Sequence, residues 1–362
     1  MAPRLGEAVA AHVKGAAGIK DLKRLSGGAS QETWAFDAVD DKGALVERLI
    51  LRRAPGGTRP ESATAVPLET EAKLIHLAEE VGVPVPPVRY VLTEADGLGQ
   101  GFVMGRVEGE TIARKILRDE EFAPARPIMA RQCGEILAKL HSVQMDKLPD
   151  LRVSDSHTEI EQYFEAYKAH GHPHPVLELA FRWLRDNAPE TPKRTLVHGD
   201  FRHGNLMIGP DGVRAVLDWE ISHIGDPMED MGWICVNSWR FGGIDNPVGG
   251  FGKREDMFEG YEAAGGGSEL VVTQNPGFGH CEVECMTAAR SCATLMESKM
   301  DIDAFAAALW KGKMSEEVFV EAACTEWSER CPKGVGKSAS RKKLPASYVR
   351  EDHEWLGKSD QD

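Results

Sequence analysis

The feature that most constrains this chain of 362 residues is a predicted β-hairpin within residues 196–233. Asp211-Gly212 lies there between two short apolar runs, residues 206–208 and 213–217. Asp-Gly between apolar runs is a strong signal for a hairpin with a two-residue turn. We therefore expect the two runs to pair as antiparallel strands.

The predicted hairpin brings two polar side chains close together. A turn centred on Asp211-Gly212 pairs Asn205 with Asp218, and directly opposed residues have Cβ atoms about 4.5–5.5 Å apart. A turn that spans residues 209–212 shifts the pairing by two residues and leaves the two side chains as diagonal neighbours. An amide oxygen and a carboxylate oxygen so placed suit Mg²⁺, which takes oxygen ligands at about 2.0–2.1 Å.

Asp200 lies just ahead of this hairpin and is left to accept a proton from a substrate hydroxyl. Asp200, Asn205 and Asp218 are separated by five and thirteen residues, which matches the catalytic-loop Asp, the Asn and the metal-binding Asp of protein kinases. Polar residues near a tight turn often only cap and bend the chain. That structural interpretation stays open for each residue taken alone.

The pattern HGD-x4-N, with an Asp thirteen residues later and then GDP-x2-D, resembles the aminoglycoside phosphotransferase and choline kinase-like superfamily, relatives of the protein kinases. The resemblance covers about residues 22–264. Within it, LSGGASQETW, LILRRAPGG and VLDWEISHIGDPMEDMGW look most like the branch associated with acyl-CoA dehydrogenases. Some members of that branch phosphorylate hydroxyacyl-CoAs.

The resemblance implies a two-lobed, protein-kinase-like α+β fold. We expect a small N-lobe with an antiparallel sheet and one helix over residues 1–103, and a hinge over residues 104–108. A larger, mainly helical C-lobe with the catalytic loop and the acceptor site follows over residues 109–335, and residues 336–362 form a polar tail. Such a chain is expected to be an ATP-dependent, Mg²⁺-requiring phosphotransferase with an alcohol as acceptor.

The catalytic loop has a predicted role for each of its polar residues. Asp200 is the base or the carboxylate that orients the acceptor, and His198 braces the loop through hydrogen bonds. Asn205 and Asp218 are the Mg²⁺ ligands. Glu220 shares the strand face of Asp218 if the strand continues, so it could join the metal site.

The predicted nucleotide contacts lie earlier in the chain. Gly27, Gly28 and Ser30 belong to a Gly-rich turn whose backbone N–H groups can approach a phosphate closely, although an ordinary hairpin turn is the alternative. By the resemblance, Arg52 at a strand end replaces the kinase lysine that holds the phosphates; a solvated arginine is the alternative. Glu71 falls on the inward face of an amphipathic helix. Because a buried carboxylate needs a partner, we predict an Arg52–Glu71 ion pair.

Residues 101–107 form a predicted strand with glycines near its ends, where a two-lobed kinase has its hinge. Backbone groups from Met104 to Arg106 would then reach the adenine edge, and Met104 would add an apolar contact. A buried methionine is more often part of the core, so the core interpretation stays open.

Several other polar or sulfur-containing residues are interpreted structurally. Asp226 and Asp230 are expected to cap or support the backbone rather than react, and His141 to be a buried structural histidine. A surface loop is favoured over a metal site for His170, His172 and His174, and a helical core stripe for Cys281, Cys285 and Cys292. Residues 333–338 imitate a P-loop but lack its first glycine, so we reject that interpretation.

Composition excludes some partners and leaves others open. A net charge of −14 argues against nucleic acid, and no apolar run approaches the roughly 18 residues of a membrane span. Seven cysteines, an odd number, are typical of a reducing compartment, so we expect a cytoplasmic protein. We expect its substrate to be a small molecule with a hydroxyl group. A homodimer is compatible with these features. Two further functional hypotheses remain: an aminoglycoside or other antibiotic O-phosphotransferase, and a catalytically inactive pseudokinase that only binds nucleotide.

Overall fold

The computed structural model describes residues 1–25, 31–57, 64–172, 174–188, 191 and 193–266. The described residues of Met1–Ser156 and Glu190–Leu270 form one compact unit, and those of His157–Pro189 belong to a second. The predicted cysteine stripe beyond residue 280, the rejected P-loop and the polar tail all lie outside the described residues.

The N-terminal part of the first unit is the predicted antiparallel sheet. Its strands are β1 (Gly18–Arg24), β2 (Glu32–Val39), β3 (Leu45–Arg53), β4 (Val88–Val91) and β5 (Gly101–Gly105), in the order β1-β2-β3-β5-β4. Helices α1 (Ala2–His12) and α2 (Leu68–Glu80) accompany the sheet.

The strand β5 separates two apolar clusters. Phe102 packs in the large core that includes α2, whereas the next residue, Val103, packs in a smaller core with α1. Successive residues of a strand point to opposite faces of the sheet. The sheet is therefore covered on both faces, which places α2 over one of them.

The start of the chain is a helix followed by an edge strand. The Ala-rich segment over residues 7–17 indicates a short helix, but α1 lies at Ala2–His12, and Gly15, with φ of 86°, adopts a left-handed conformation that a continuing helix does not allow. β1, which follows, was not predicted. It is an edge strand with a register shift and mostly exposed residues, so the alternation of apolar and polar residues that marks a half-buried strand is weak.

The remaining elements are mainly helical. They are α3 (Ala113–Arg118), α4 (Arg126–His141), α5 (Ser156–Ala169), α6 (Pro175–Asn187), β6 (Thr195–Val197), β7 (Leu206–Gly209), β8 (Gly212–Val216), β9 (His223–Gly225), α7 (Met228–Trp233) and α8 (Arg254–Ala263). Across the described ranges, every helix is too short or too polar to cross a membrane.

The helix α4 is a core helix. Its apolar residues at the spacing of one helical face, Cys133, Ile136, Leu137 and Leu140, are all buried. α8 packs against α4 so closely that a Cβ added at Gly134 would lie 1.9 Å from the Met257 carbonyl oxygen and 2.7 Å from the Tyr261 nitrogen. The packing of these two helices therefore depends on the absence of a side chain at Gly134.

This close approach generates a stability prediction. Gly134→Ala should lower the free energy of unfolding by about 1–3 kcal/mol, since the added methyl overpacks a rigid backbone contact. Gly232→Ala is the matched control, because no atom lies within 4 Å of the added Cβ; it should leave stability unchanged or raise it slightly. Equilibrium urea unfolding measures both. Equal unfolding midpoints for the two variants would contradict the packing argument.

Candidate active site

The hairpin β7–β8 has its turn at Pro210-Asp211, because Gly209 pairs with Gly212. The turn spanning residues 209–212 is confirmed, and the turn centred on Asp211-Gly212 is wrong. The wrong register would have paired Pro210 with Val213 inside the ladder. Proline has no N–H to donate there and is favoured at the first central position of a turn.

The pairing of Asn205 is also corrected by a register shift between Met207 and Ile208. The Leu217 N–H donates to the Asn205 carbonyl oxygen at 2.8 Å, so Asn205 lies opposite Leu217. The predicted direct opposition of Asn205 and Asp218 is wrong by one residue. Asp218 adopts a left-handed conformation with φ of 67°, a costly arrangement for a residue other than glycine that is concentrated at functional sites.

The structure brings Asp200 and Asn205 into direct contact. Asn205 Nδ2 donates to Asp200 Oδ2 at 2.7 Å and to the Asp200 carbonyl oxygen at 2.9 Å. Both amide hydrogens are then used, and none of the described residues donates to Asn205 Oδ1. Asn205 therefore presents an amide oxygen that fits a small cation.

Asp230 holds the backbone of the predicted catalytic loop through hydrogen bonds. Its two carboxylate oxygens accept the His198 N–H at 2.8 Å and the Gly199 N–H at 2.9 Å. Desolvation by burial raises the pKa of Asp230, but hydrogen bonding and charge from the neighbouring histidines outweigh it and bring that pKa below its ordinary value. The expectation that Asp230 is structural agrees with these contacts.

A buried relay supports Asp230 in turn. The Tyr261 hydroxyl shares a hydrogen bond with His141 Nδ1 at 2.9 Å, and His141 Nε2 donates to Asp230 Oδ2 at 3.3 Å. His141 lies on α4 and Tyr261 on α8. The packing of these two helices thus reaches the catalytic loop through three side chains, with His141 in the structural role expected of it.

His198 joins the two sides of the site. The Asp200 N–H donates to His198 Nδ1 at 3.2 Å, and His198 Nε2 donates to the Leu217 carbonyl oxygen at 2.9 Å. Leu217 immediately precedes Asp218. His198 therefore ties the backbone of Asp200 to the strand end that carries Asp218.

Arg52 is the centre of a second group of charges. Arg52 Nε lies 2.9 Å from Glu71 Oε1, so the predicted ion pair is confirmed. Arg52 Nη2 also lies 2.5 Å from Asp218 Oδ1 and 3.9 Å from Glu220 Oε2, and Gln31 Nε2 donates to Glu220 Oε2 at 3.0 Å. Three carboxylates thus face one guanidinium.

Strand register explains which face of the sheet Arg52 occupies. Arg52 pairs with Phe102, the residue of β5 that faces the core containing α2. Arg53 points to the other face, where its Nε donates to Glu32 at 2.9 Å. Successive strand residues point to opposite faces of the sheet, so only Arg52 can reach Glu71 on α2.

Burial controls the charge state of this ion pair. Desolvation raises the pKa of the Glu71 carboxyl, with Arg52 opposing the shift and the carboxylates of Asp218 and Glu220 adding to it. Burial works against the charge of Arg52, but the three carboxylates together raise its pKa above the ordinary value. The guanidinium therefore stays charged.

The other predicted nucleotide contacts are only partly placed. Gly27, Gly28 and Ser30 lie outside the described residues. Met104, on β5, is partly buried against the large core, in line with the core alternative. The Gly105 and Arg106 N–H groups donate to backbone carbonyl oxygens at 2.9 Å, so an adenine edge would need other backbone groups of this segment.

In the part of the chain that the structure describes, no group of three or more His, Cys, Asp or Glu side chains is arranged to hold a metal. The carboxylates of Glu71, Asp218 and Glu220 converge on Arg52 rather than on a common empty point. The predicted metal pair instead combines the amide oxygen of Asn205 with the carboxylate of Asp218.

A comparison with known families matches residues 21–266 to the Phosphotransferase enzyme family. This match covers more than half of the chain's 362 residues. The chain belongs to this phosphotransferase family. The family resemblance inferred from the motifs is thereby confirmed.

Curated relatives of this family member carry acyl-CoA dehydrogenase names, as the resemblance to that branch predicted. The Mus musculus protein named acyl-CoA dehydrogenase family member 10 is 29% identical over 233 residues, which are 60% of this chain and 20% of that protein. The Arabidopsis thaliana protein named probable acyl-CoA dehydrogenase IBR3 is 31% identical over 233 residues, 60% of this chain and 28% of that protein. The chain thus spans less than a third of each relative.

Solved structures establish the fold of this phosphotransferase family member. A Ralstonia eutropha structure named "putative aminoglycoside phosphotransferase" has a TM-score of 0.56 at 23% identity and covers 72% of this chain and 79% of its own. Macrolide 2′-phosphotransferase MphH from Brachybacterium faecium has a TM-score of 0.51 at 20% identity, with 91% and 99% covered. The predicted two-lobed, kinase-like α+β fold is confirmed.

Two residues that contact Asp200 were not predicted from the sequence. Arg202 Nε and Trp233 Nε1 each donate to Asp200 Oδ1 at 2.7 Å. Arg202 also lies over the ring of Trp239 at 4.4 Å. Arg202 follows Asp200 closely enough that its charge was a usable signal, whereas nothing in the sequence marks Trp233 as a neighbour.

His203, in the same loop, was also missed. It is buried, and its Nε2 donates to the Gly249 carbonyl oxygen at 2.7 Å. Desolvation lowers the pKa of His203 from 6.5 to about 4. The folded protein therefore holds His203 neutral and links the catalytic loop to the segment that contains Gly249.

This burial predicts a pH dependence of stability. A depressed pKa in the folded state means that the stability contribution of His203 is complete above pH 6.5 and is lost as the pH falls towards 4. The unfolding free energy of the wild type relative to His203→Gln should decrease by up to about 3 kcal/mol between pH 7 and pH 4.

Denaturant unfolding between pH 7 and pH 4 measures the difference in unfolding free energy between the wild type and His203→Gln. His76→Gln removes a histidine whose side chain is 62% exposed and serves as the matched control. If the gap between wild type and His203→Gln stayed constant with pH, a neutral, desolvated His203 would be ruled out.

Proposed function

We propose that this protein transfers the γ-phosphoryl group of ATP to a hydroxyl group of a small molecule. The observation that carries the proposal is the position of Arg52, whose guanidinium contacts both Glu71 and Asp218. One side chain thus connects the sheet, where a nucleotide would bind, with the end of the catalytic hairpin. Membership of a phosphotransferase family supports the same reaction class.

Each residue of the site has a role in this reaction. The acceptor hydroxyl would donate its hydrogen to Asp200, and its oxygen would form a bond to the γ-phosphorus as the bond to the bridging oxygen of ADP breaks. Asn205 Oδ1 and the Asp218 carboxylate would hold Mg²⁺, which when bound neutralises charge on the phosphate oxygens. Arg52, fixed by Glu71, would contact the phosphates directly.

Alignment and charge compensation supply most of the catalysis in this proposal. Asp200 accepts three side-chain hydrogen bonds, and Asp230 and His198 fix the backbone around it. A catalytic group held so firmly loses little entropy when the substrates bind. We expect this reaction to take place in the cytoplasm.

A hydroxyacyl-CoA is the acceptor that we favour. The curated relatives have acyl-CoA dehydrogenase names, although the chain matches only a fraction of each. The cation in contact with Asp200 is Arg202, and a guanidinium beside the reacting hydroxyl disfavours a polycationic antibiotic through like-charge repulsion. The fold similarity to antibiotic phosphotransferases keeps an aminoglycoside acceptor as the alternative.

The catalytic role of Asp200 generates a direct prediction. Asp200→Asn should lower kcat by about 10²–10⁴-fold, because the amide can no longer accept the proton. Binding of Mg-ATP should stay nearly unchanged, since Asp200 lies on the acceptor side. Asp211→Asn, on an exposed hairpin turn, is the control. Isothermal titration calorimetry and a phosphorylation assay measure the two properties, and near-normal turnover of Asp200→Asn would overturn the assignment.

Acceptor identity is tested by a panel of alcohols. An ATP-consumption assay with hydroxyacyl-CoAs that differ in chain length and hydroxyl position, set against aminoglycosides and macrolides, should give turnover with the hydroxyacyl-CoAs only. Mass spectrometry would show the added phosphoryl group on the acyl portion. Turnover with an antibiotic alone would favour the alternative. Thermal stabilisation by Mg-ATP with no phosphorylated alcohol in the panel would instead favour a pseudokinase.

A further inference from the structure

The two oxygens of the Asp200 carboxylate are not equivalent. Oδ1 accepts two hydrogen bonds, from Arg202 Nε and from Trp233 Nε1, each at 2.7 Å. Oδ2 accepts one side-chain hydrogen bond, from Asn205 Nδ2 at 2.7 Å. A carboxylate oxygen has two lone pairs, so Oδ1 is saturated and Oδ2 keeps one position for a further donor.

Arg202 is held in place by more than its contact with Asp200. Its Nη1 donates to the His203 carbonyl oxygen at 2.7 Å, and its guanidinium lies 4.4 Å from the centre of the Trp239 ring. A Cβ added at Gly204, which has φ of 95°, would lie 2.8 Å from Arg202 Nη1. The absence of a side chain at Gly204 therefore leaves room for the Arg202 guanidinium.

Trp233 is held in place by its helix and by a neighbouring tryptophan. It is the last residue of α7, the helix that also carries Asp230 and so holds the backbone of the catalytic loop. Its ring packs edge to face on Trp239, with centroids 5.6 Å apart. Trp233 remains 38% exposed, so the indole fills no core position. Its N–H donates to the Asp200 carboxylate, which is 19% exposed.

We infer that Arg202 and Trp233 are positioning residues for phosphoryl transfer. Together they occupy Asp200 Oδ1 and turn Oδ2 towards the acceptor hydroxyl. This inference rests on the proposed function. The hydroxyl proton passes to Oδ2, the hydroxyl oxygen bonds to the γ-phosphorus, and the electron pair of the broken phosphorus–oxygen bond leaves with ADP.

Trp233→Phe tests this arrangement because it keeps the ring and removes only the N–H donor. Hydrogen bonds to a charged group are strong enough that kcat should fall by about 10-fold, while the KM for ATP changes little. Arg202→Gln should behave similarly, and Arg202→Lys, which keeps a cationic donor, should recover part of the loss. Turnover is measured with Mg-ATP and the acceptor found in the panel, and as ATP hydrolysis with water as acceptor.

Trp34→Phe is the matched control. Trp34 Nε1 also donates to a carboxylate, that of Glu32 at 3.3 Å, but this pair lies on β2, away from Asp200. The control variant should keep wild-type kcat and KM. Thermal unfolding of all variants shows whether any loss of turnover is a loss of folded protein.

A double-variant comparison separates positioning from a general structural effect. In the Asp200→Asn background, Trp233→Phe should cause no further fall in kcat, because the donor acts through the Asp200 carboxylate. The same proportional loss in both backgrounds, or no loss in the wild-type background, would overturn the inference. Unequal effects on kcat and on the KM for ATP also distinguish positioning from damage to the nucleotide site.

Crystal structures of the wild type and of Trp233→Phe test the positioning without turnover. The Asp200 carboxylate should keep one orientation in the wild type and rotate or become disordered in the variant. If the wild type transferred no phosphoryl group, the proposed function would fail, yet a rotated Asp200 would still support the positioning role. An unmoved Asp200 with unchanged turnover would refute the inference and leave the proposed function standing.

Discussion

The structure depends on one largely buried cation, Arg52, whose side chain is 15% exposed, and on the carboxylates that surround it. A guanidinium removed from water is tolerated only with charge partners and hydrogen bonds. Glu71 is supplied by α2, and Asp218 by the residue that follows the catalytic hairpin. Arg52 therefore constrains three separate parts of the chain at once, and its partners are the residues on which the proposed chemistry depends.

A second set of contacts holds the other half of the site. Asp230 fixes the backbone of His198 and Gly199, and His198 connects Asp200 with Leu217, next to Asp218. Asp200, the proposed base, and the strand end that precedes Asp218 are thus connected through His198. Because His198 and Asp230 are buried and each has defined partners, small displacements on one side of the site are transmitted to the other.

The sequence predicted the parts of this arrangement that are local. Helical periodicity gave the inward face of α2, and with it the partner of Arg52. The turn was misplaced because Pro210, which cannot donate in a ladder, was given less weight than Asp-Gly, and the register shift that follows Met207 has no sequence signature. Trp233 meets Asp200 only through the tertiary placement of α7, which short-range patterns do not contain.

The geometry of the guanidinium group explains why an arginine suits position 52. A lysine ammonium is a compact point charge, whereas a guanidinium offers donors on separate nitrogens in a rigid plane. Arg52 donates from Nη2 to Asp218 Oδ1 and forms an ion pair with Glu71, with Nε 2.9 Å from Glu71 Oε1, so a single cation serves two acids on different elements. With Glu220 also near, three acids face this one cation. Arg52 is therefore a structural link between β3, α2 and the residue that follows the hairpin, and the role proposed for it as a partner for phosphate would use this same fixed position.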